Sequence, residues 1–207
     1  MHEDLWKENL GFAQSCMKHP FVMGLVSGSL DKDSFKQYIA QDAFFLRAFR
    51  KAFALAIAKC DDIRIAKTLH GLMAGVLTEL NLHEEYSKSL GINLQTVVPL
   101  KECRAYTDFL LRTAWQGNLA EIMAAMAPCM VLYSYLGNAL KEIMDPQTPY
   151  KNWIETYASD SMKELAHKME TLLDAIPADE KEQQSIHAAY RYAMQCELDF
   201  FSGPLRK

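Results

Sequence analysis

The chain lacks the marks of several protein classes. No Cys-x-x-Cys occurs, and the five cysteines, Cys16, Cys60, Cys103, Cys129 and Cys196, are odd in number and scattered through 207 residues. That argues against a disulfide framework or a structural zinc site and fits a reducing, cytoplasmic compartment. No basic surplus exists: 22 Lys and Arg stand against 26 Asp and Glu, a net charge of -4. No nucleic-acid footprint is therefore expected. There is no Asn-Gly or Asp-Gly step to mark a β-hairpin. No apolar run reaches the roughly 18 residues of a membrane span, so no membrane partner is expected. The start, Met1-His2-Glu3-Asp4, is polar and acidic, unlike a secretory leader. Tandem repeats and low-complexity tracts are also missing.

What is present is helical periodicity. The pattern predicts helices over 3–18, 21–27, 32–59, 62–89 and 102–115, then one through Pro128, then 150–173 in two pieces, and last 178–201. His19-Pro20, Gly28-Ser29, Gly117-Asn118 and Ile176-Pro177 supply the breaks. The expected fold class is all-α, one domain over 1–207. It is a bundle of about seven or eight helices, large enough to bury a core without disulfides or metals.

Three stripes carry an acid where a core residue belongs. On the third predicted helix Phe35, Ile39, Asp42, Leu46, Phe49, Phe53 and Ile57 step by three or four residues. On the next, Ile65, Leu69, Leu72 and Val76 lead to Glu79 and His83, an i,i+4 pair, and then Tyr86. On the last, Glu197 shares a face with Ile186, Tyr190, Ala193 and Phe200. A buried charge is costly unless it has partners or a ligand. Each acid could be satisfied within the core, but three together point to a lined cavity, where pKa values move. Tyr38, Phe44, Phe45, Tyr106, Tyr133 and Tyr157 could supply flat walls for a small planar ligand. The same aromatics at helical spacing also describe an ordinary core.

The stretch Ala124-Ala-Met-Ala-Pro-Cys-Met-Val-Leu-Tyr133 puts a proline inside a helix. Pro128 removes a backbone donor and clashes with the carbonyl four residues back, which predicts a kink. Cys129 follows it directly, with Tyr133 one turn on. A packed core cysteine beside a tolerated proline accounts for these residues; so does a cysteine aimed into a site. A di-metal bundle would need a Glu-x-x-His from each of two helices. Only Glu164-Leu-Ala-His167 matches, on a polar, lysine-rich stretch, so no metal site is expected. No nucleophile elbow or similar local signature occurs.

Read together, these residues resemble the thiaminase II (TenA) family over essentially the whole chain. The carriers are His19-Pro-Phe21, Phe35 through Gln41-Asp42, Glu79 with His83 and Gly91, and Ala105-Tyr106-Thr107. Pro128-Cys129 with Tyr133, Tyr150 with Trp153-Ile154 and Tyr157, and Glu197 with Phe201 complete them. Cys129 places the chain with the cysteine-containing branch. The resemblance implies a haem-oxygenase-like helical fold and hydrolysis of aminopyrimidines in thiamin salvage, possible cleavage of thiamin itself, and no cofactor. It implies Cys129 as nucleophile, Asp42 holding the aminopyrimidine edge and Glu197 handling protons. Phe45, Tyr106, Tyr133 and Tyr157 would line the pocket. Many members carry a tyrosine where this chain has Phe45, so one hydroxyl is missing near the acid. A homo-oligomer, commonly a tetramer, is implied as well. A non-catalytic pyrimidine-binding or regulatory protein on the same pocket, or a di-iron oxidase of the same fold, are the competing readings.

Overall fold

In the computed structural model the described backbone covers residues 1–206, with side chains described except at positions 79, 81–86 and 89. The Glu79 and His83 pairing, and Tyr86, lie outside the described residues. Among the described residues there are nine α-helices and one short 3₁₀ turn, and no strand. The helices are α1 His2–Met17, α2 Pro20–Ser27, α3 Lys32–Ala58, α4 Ile63–Leu90 and α5 Lys101–Gln116. They continue with α6 Leu119–Lys141, α7 Lys151–Tyr157, α8 Asp160–Ala175 and α9 Glu180–Ser202. The segment 150–173 divides into two helices, as its pattern predicts, and with both pieces counted the helices number nine rather than seven or eight. The Ser159 hydroxyl accepts from the Met162 amide and starts α8 afresh just after α7 ends.

The starts follow local chemistry. Asp31, Asp62, Asn118, Ser159 and Asp179 each accept from an amide in the first turn of the next helix. Asn118 with Glu121, and Asp179 with Glu182, form complete capping boxes. His19 caps α2 with its ring: Nδ1 accepts from the Phe21 amide at 3.2 Å. Nε2 therefore carries the proton, and it reaches the Ser202 hydroxyl at the end of α9, 3.0 Å away. Gly28 and Gly91 close α2 and α4 in the left-handed conformation that glycine adopts without strain.

The helix α6 is the axis. By length and composition alone it could cross a membrane, yet it is mostly buried inside the bundle. It packs against α1, α3, α5, α7, α8 and α9, and it runs as one helix through Pro128. The missing Pro128 amide leaves the Ala124 carbonyl without its helical donor one turn before Cys129.

The connection after α6 is tied to the other side of the bundle. The Asp145 amide donates to the Val26 carbonyl at 2.9 Å. Thr148 donates to the Leu25 carbonyl at 2.6 Å, and Tyr150 to the Leu30 carbonyl at 2.5 Å. These bonds aim α7 inward. Where α7 ends, Gly137 on α6 lets the Tyr157 backbone lie directly on the helix: a Cβ at this position would overlap the Tyr157 carbonyl carbon.

Gly137→Ala cannot be absorbed by a rotamer change, since backbone is what it meets. The substitution is expected to cost more than about 2 kcal/mol, at the upper end of overpacking, despite alanine's better helix propensity. Urea unfolding checks this: unchanged stability would show that α7 is free to move off α6.

Candidate active site

The slot is assembled from seven helices. Asp42, Phe45, Leu46 and Phe49 of α3 line it, with Gly75 and Val76 of α4 and Tyr106 of α5. Cys129, Met130 and Tyr133 come from α6, Tyr157 from α7, Met162 and Leu165 from α8, and Glu197 and Phe200 from α9. The side chains close tightly on it: the room left for a water-sized molecule is about 30 Å³. Mostly apolar walls with a few fixed polar groups are the common form of a small-molecule site.

Its electrostatic centre is Glu197, only 2% exposed. Tyr106 donates to Glu197 Oε1 at 2.8 Å. Burial pushes the carboxyl up to about 8; the Tyr106 bond pulls it down, and the nearby Asp42 charge adds to the rise. Glu197 is therefore mostly a neutral acid at pH 7. In that state it accepts from Tyr106 with one oxygen and can donate a proton from the other. Tyr106 itself is pushed well above its usual range by burial and by Glu197, so it stays a donor. Asp42, 6% exposed, stands in the same slot from α3.

Aromatic rings form the walls. Tyr133 and Tyr157 meet at 4.8 Å between centroids, and Trp153 backs Tyr157 at 4.7 Å. Opposite, Phe45 lies 4.7 Å from Tyr106, 5.4 Å from Phe49 and 5.9 Å from Phe200. Tyr38 does not line the slot; it stands behind, donating to the Tyr133 hydroxyl at 3.3 Å. Phe44, also read as a possible wall, is half-buried on another face of α3.

The cysteines divide sharply. Cys16, Cys103 and Cys196 are buried, and burial is the main cause of their raised pKa values, with Cys103 and Cys196 at about 12. Such thiols stay protonated and inert. Cys60 sits beyond the end of α3, its thiol directed at the Asp62 carbonyl 3.4 Å away. Cys129 is the one cysteine in the slot lining, half-buried, close enough to Tyr106 to influence its hydroxyl.

Among the described residues no three His, Cys, Asp or Glu side chains gather as a metal ligand set. Glu164 instead pairs with Lys168 at 2.6 Å on the exposed face of α8, and His167 lies beside Glu170. The sequence reading brought Asp42, Phe45, Tyr106, Cys129, Tyr133, Tyr157 and Glu197 to one cavity. It read Leu46, Phe49, Val76 and Phe200 as stripe residues only and missed Gly75, Met130, Met162 and Leu165, because nothing in their spacing separates a cavity wall from a core.

An aminopyrimidine aminohydrolase of Halalkalibacterium halodurans is 34% identical over 191 residues, covering 88% of this chain and 85% of that one. A crystal structure described as a TenA family transcription regulator from Silicibacter matches with a TM-score of 0.91 at 27% identity, over 99% of this chain and 96% of the other. Haem oxygenase-1 of the cyanobacterium Synechocystis matches with a TM-score of 0.68 at 18% identity, over 97% and 90% of the two chains. The last likeness speaks to the fold alone and identifies it as haem-oxygenase-like. The TENA/THI-4/PQQC family model matches residues 6–207, and the chain belongs to that family.

Proposed function

We propose that this protein is an aminopyrimidine aminohydrolase, a thiaminase II of thiamin salvage. It converts 4-amino-5-aminomethyl-2-methylpyrimidine to the 5-hydroxymethyl compound and also accepts thiamin. The observation that carries the reading is one slipped-in thiol: Cys129 lies in a narrow aromatic slot with a neutral buried acid, Glu197, and a second carboxyl, Asp42. The aminohydrolase relative, alike over most of both chains, supports it. The reading places one domain over the chain, acting in the cytoplasm without a cofactor, as a homotetramer.

The chemistry suits the residue types. A 4-aminopyrimidine presents an amino donor beside a ring acceptor. Asp42 accepts from the amino group, and Glu197 donates its proton to a ring nitrogen. The ring, made electron-poor, is attacked at a carbon by the Cys129 thiolate, and a C–S bond forms. The electron pair pushed into the ring then expels the amine from the exocyclic methylene, breaking the C–N bond. Water adds to the exposed methylene and gives its spare proton to the Glu197 carboxylate; the ring electrons return, the ring nitrogen releases its proton to solvent, and the thiolate leaves. One difficult displacement becomes two easier steps. Tyr133, Tyr157 and Phe45 hold the ring flat against the thiol and exclude bulk water.

A second reading is a pyrimidine-binding regulator, favoured by the regulator description of one structural neighbour. Binding would need Asp42 and the walls, but neither Cys129 nor an acid. Ammonia release separates the two: stoichiometric binding without release would establish the regulator.

Three outcomes are expected. Cys129→Ser keeps the fold and pyrimidine binding but releases ammonia at less than about a tenth of the parental rate, the hydroxyl being the weaker nucleophile. Ser at Cys16, Cys60, Cys103 or Cys196 keeps activity near the parent, and the same loss at any of these would remove Cys129 from its role. Asp42→Asn weakens binding of hydroxymethylpyrimidine at least tenfold, because a buried partner of the wrong kind is left facing the ligand. Equal affinity in titration calorimetry would make Asp42 structural. As for pH, a group raised from 4.5 to about 8 supplies its proton below the upper value and loses it above. Turnover should therefore fall on the alkaline side with a midpoint near 8, and Glu197→Gln should erase that limb along with most of the rate. A flat profile from pH 7 to about 9.5 would count against Glu197 as the acid.

A further inference from the structure

Gln41 precedes Asp42 on α3, is 4% exposed, and does not line the slot. Both polar atoms of its side chain are nonetheless spent on the segment that begins α5. The Leu100 amide donates to Gln41 Oε1 at 2.7 Å, and Gln41 Nε2 donates to the Val98 carbonyl at 3.2 Å. The Cys103 thiol reaches the Gln41 backbone carbonyl at 3.5 Å. Leu100 caps α5, and Cys103 and Tyr106 follow on one face at helical spacing, both 1% exposed. From the other side the chain after α9 grips the same turn. Arg206 pairs with Glu102 at 2.6 Å, and a Cβ on Gly203 would come within 3.1 Å of Leu100.

We propose that Gln41 is a positioning residue of the site: by holding Leu100 and Cys103 it sets the register of α5 against α3, and so keeps the Tyr106 hydroxyl on Glu197. The inference rests on the reading of the site given above. Its geometry is tight. A slip of α5 by one residue moves Tyr106 about 1.5 Å along the axis. The Tyr106–Glu197 bond is 2.8 Å, and hydrogen bonds fade beyond about 3.2 Å, so even a third of that slip matters. A buried amide that satisfies two backbone groups resists such sliding, since any displacement strands a donor and an acceptor together.

The consequence reaches the acid. Among the described groups, Glu197 is faced by Asp42 and Tyr38 from α3, Tyr106 from α5, Cys129 and Tyr133 from α6, and Cys16 from α1. Cys196 and Asp199 flank it on α9. Of these, Tyr106 is the group that donates to Glu197 and lowers its pKa. Loosening Gln41 therefore raises the pH at which Glu197 loses its proton.

The test is a double-mutant cycle over pH, comparing the parent, Gln41→Met, Tyr106→Phe and the pair. With aminomethylpyrimidine as substrate, Gln41→Met should move the alkaline limb upward by about half a pH unit or more, in the direction of Tyr106→Phe. The double variant should move no further than Tyr106→Phe alone. KM should change less than kcat, because the wall that holds the ring is untouched. A Gln41→Met protein that melts lower with its limb unmoved, or shifts that simply add, would overturn the proposal. If Gln41→Met does not fold, Gln41→Glu keeps the acceptor for Leu100 and must show a smaller shift of the same sign; an unmoved limb there also overturns it. If the parent releases no ammonia, the functional reading fails separately. Infrared titration of the Glu197 carboxyl, assigned with Glu197→Gln, then applies the same criteria to the same four proteins.

Discussion

A carboxyl group buried among aromatic rings sets the terms for everything around it. Left charged and unpartnered, Glu197 would cost several kcal/mol. The structure meets that constraint by holding it neutral and giving it one donor, Tyr106. The position of α5 follows from that need, and so do the bonds by which Gln41 and Arg206 grip its first turn. The rings of Phe45 and Phe200, 5.9 Å apart, line the same slot as the acid. The result is a carboxyl pushed up to about 8, a shift of the kind general acids show.

The same burial that raises the acid keeps three of the thiols protonated. Cys16, Cys103 and Cys196 are buried as Glu197 is and are held protonated there. Cys129 differs in position rather than in type. It stands half-buried at the slot, one turn after a carbonyl that Pro128 leaves without its helical donor. The tyrosine walls depend in turn on distant anchors. Tyr157 reaches the slot because α7 lies on Gly137, and α7 starts where it does because Thr148 bonds to Leu25 of α2 and Tyr150 to Leu30 in the turn after it.

Much of this was legible in the sequence, for reasons that can be named. Periodicity marked the helices because their buried faces are continuous, and Asp42 and Glu197 stood out as charges on those faces. The walls were harder to read. Tyr38 and Phe44 share the helix and the aromatic character of Phe45, yet one is set behind Tyr133 and the other turned to another face. Angular position to that precision depends on how neighbouring helices cross, which no single helix encodes. The lining residues Val76, Met162 and Leu165 were invisible as walls for a related reason: an apolar side chain beside a cavity looks like one beside another side chain. The break within 150–173 was expected, but its place at the capping Ser159 came only with the turn geometry.

The central place of α6 has a consequence for how the chain is made. This helix is apolar enough to pass for a membrane span, and two of its main covers, α8 and α9, follow it in the chain. On a ribosome it emerges roughly 60 residues before the end of α9, an interval of about 3–12 seconds at common rates of synthesis. During that interval it is shielded only by the helices already made. The nascent chain thus passes through a stage in which its most greasy segment is open to chaperones and to aggregation, and Cys129 rides on that segment.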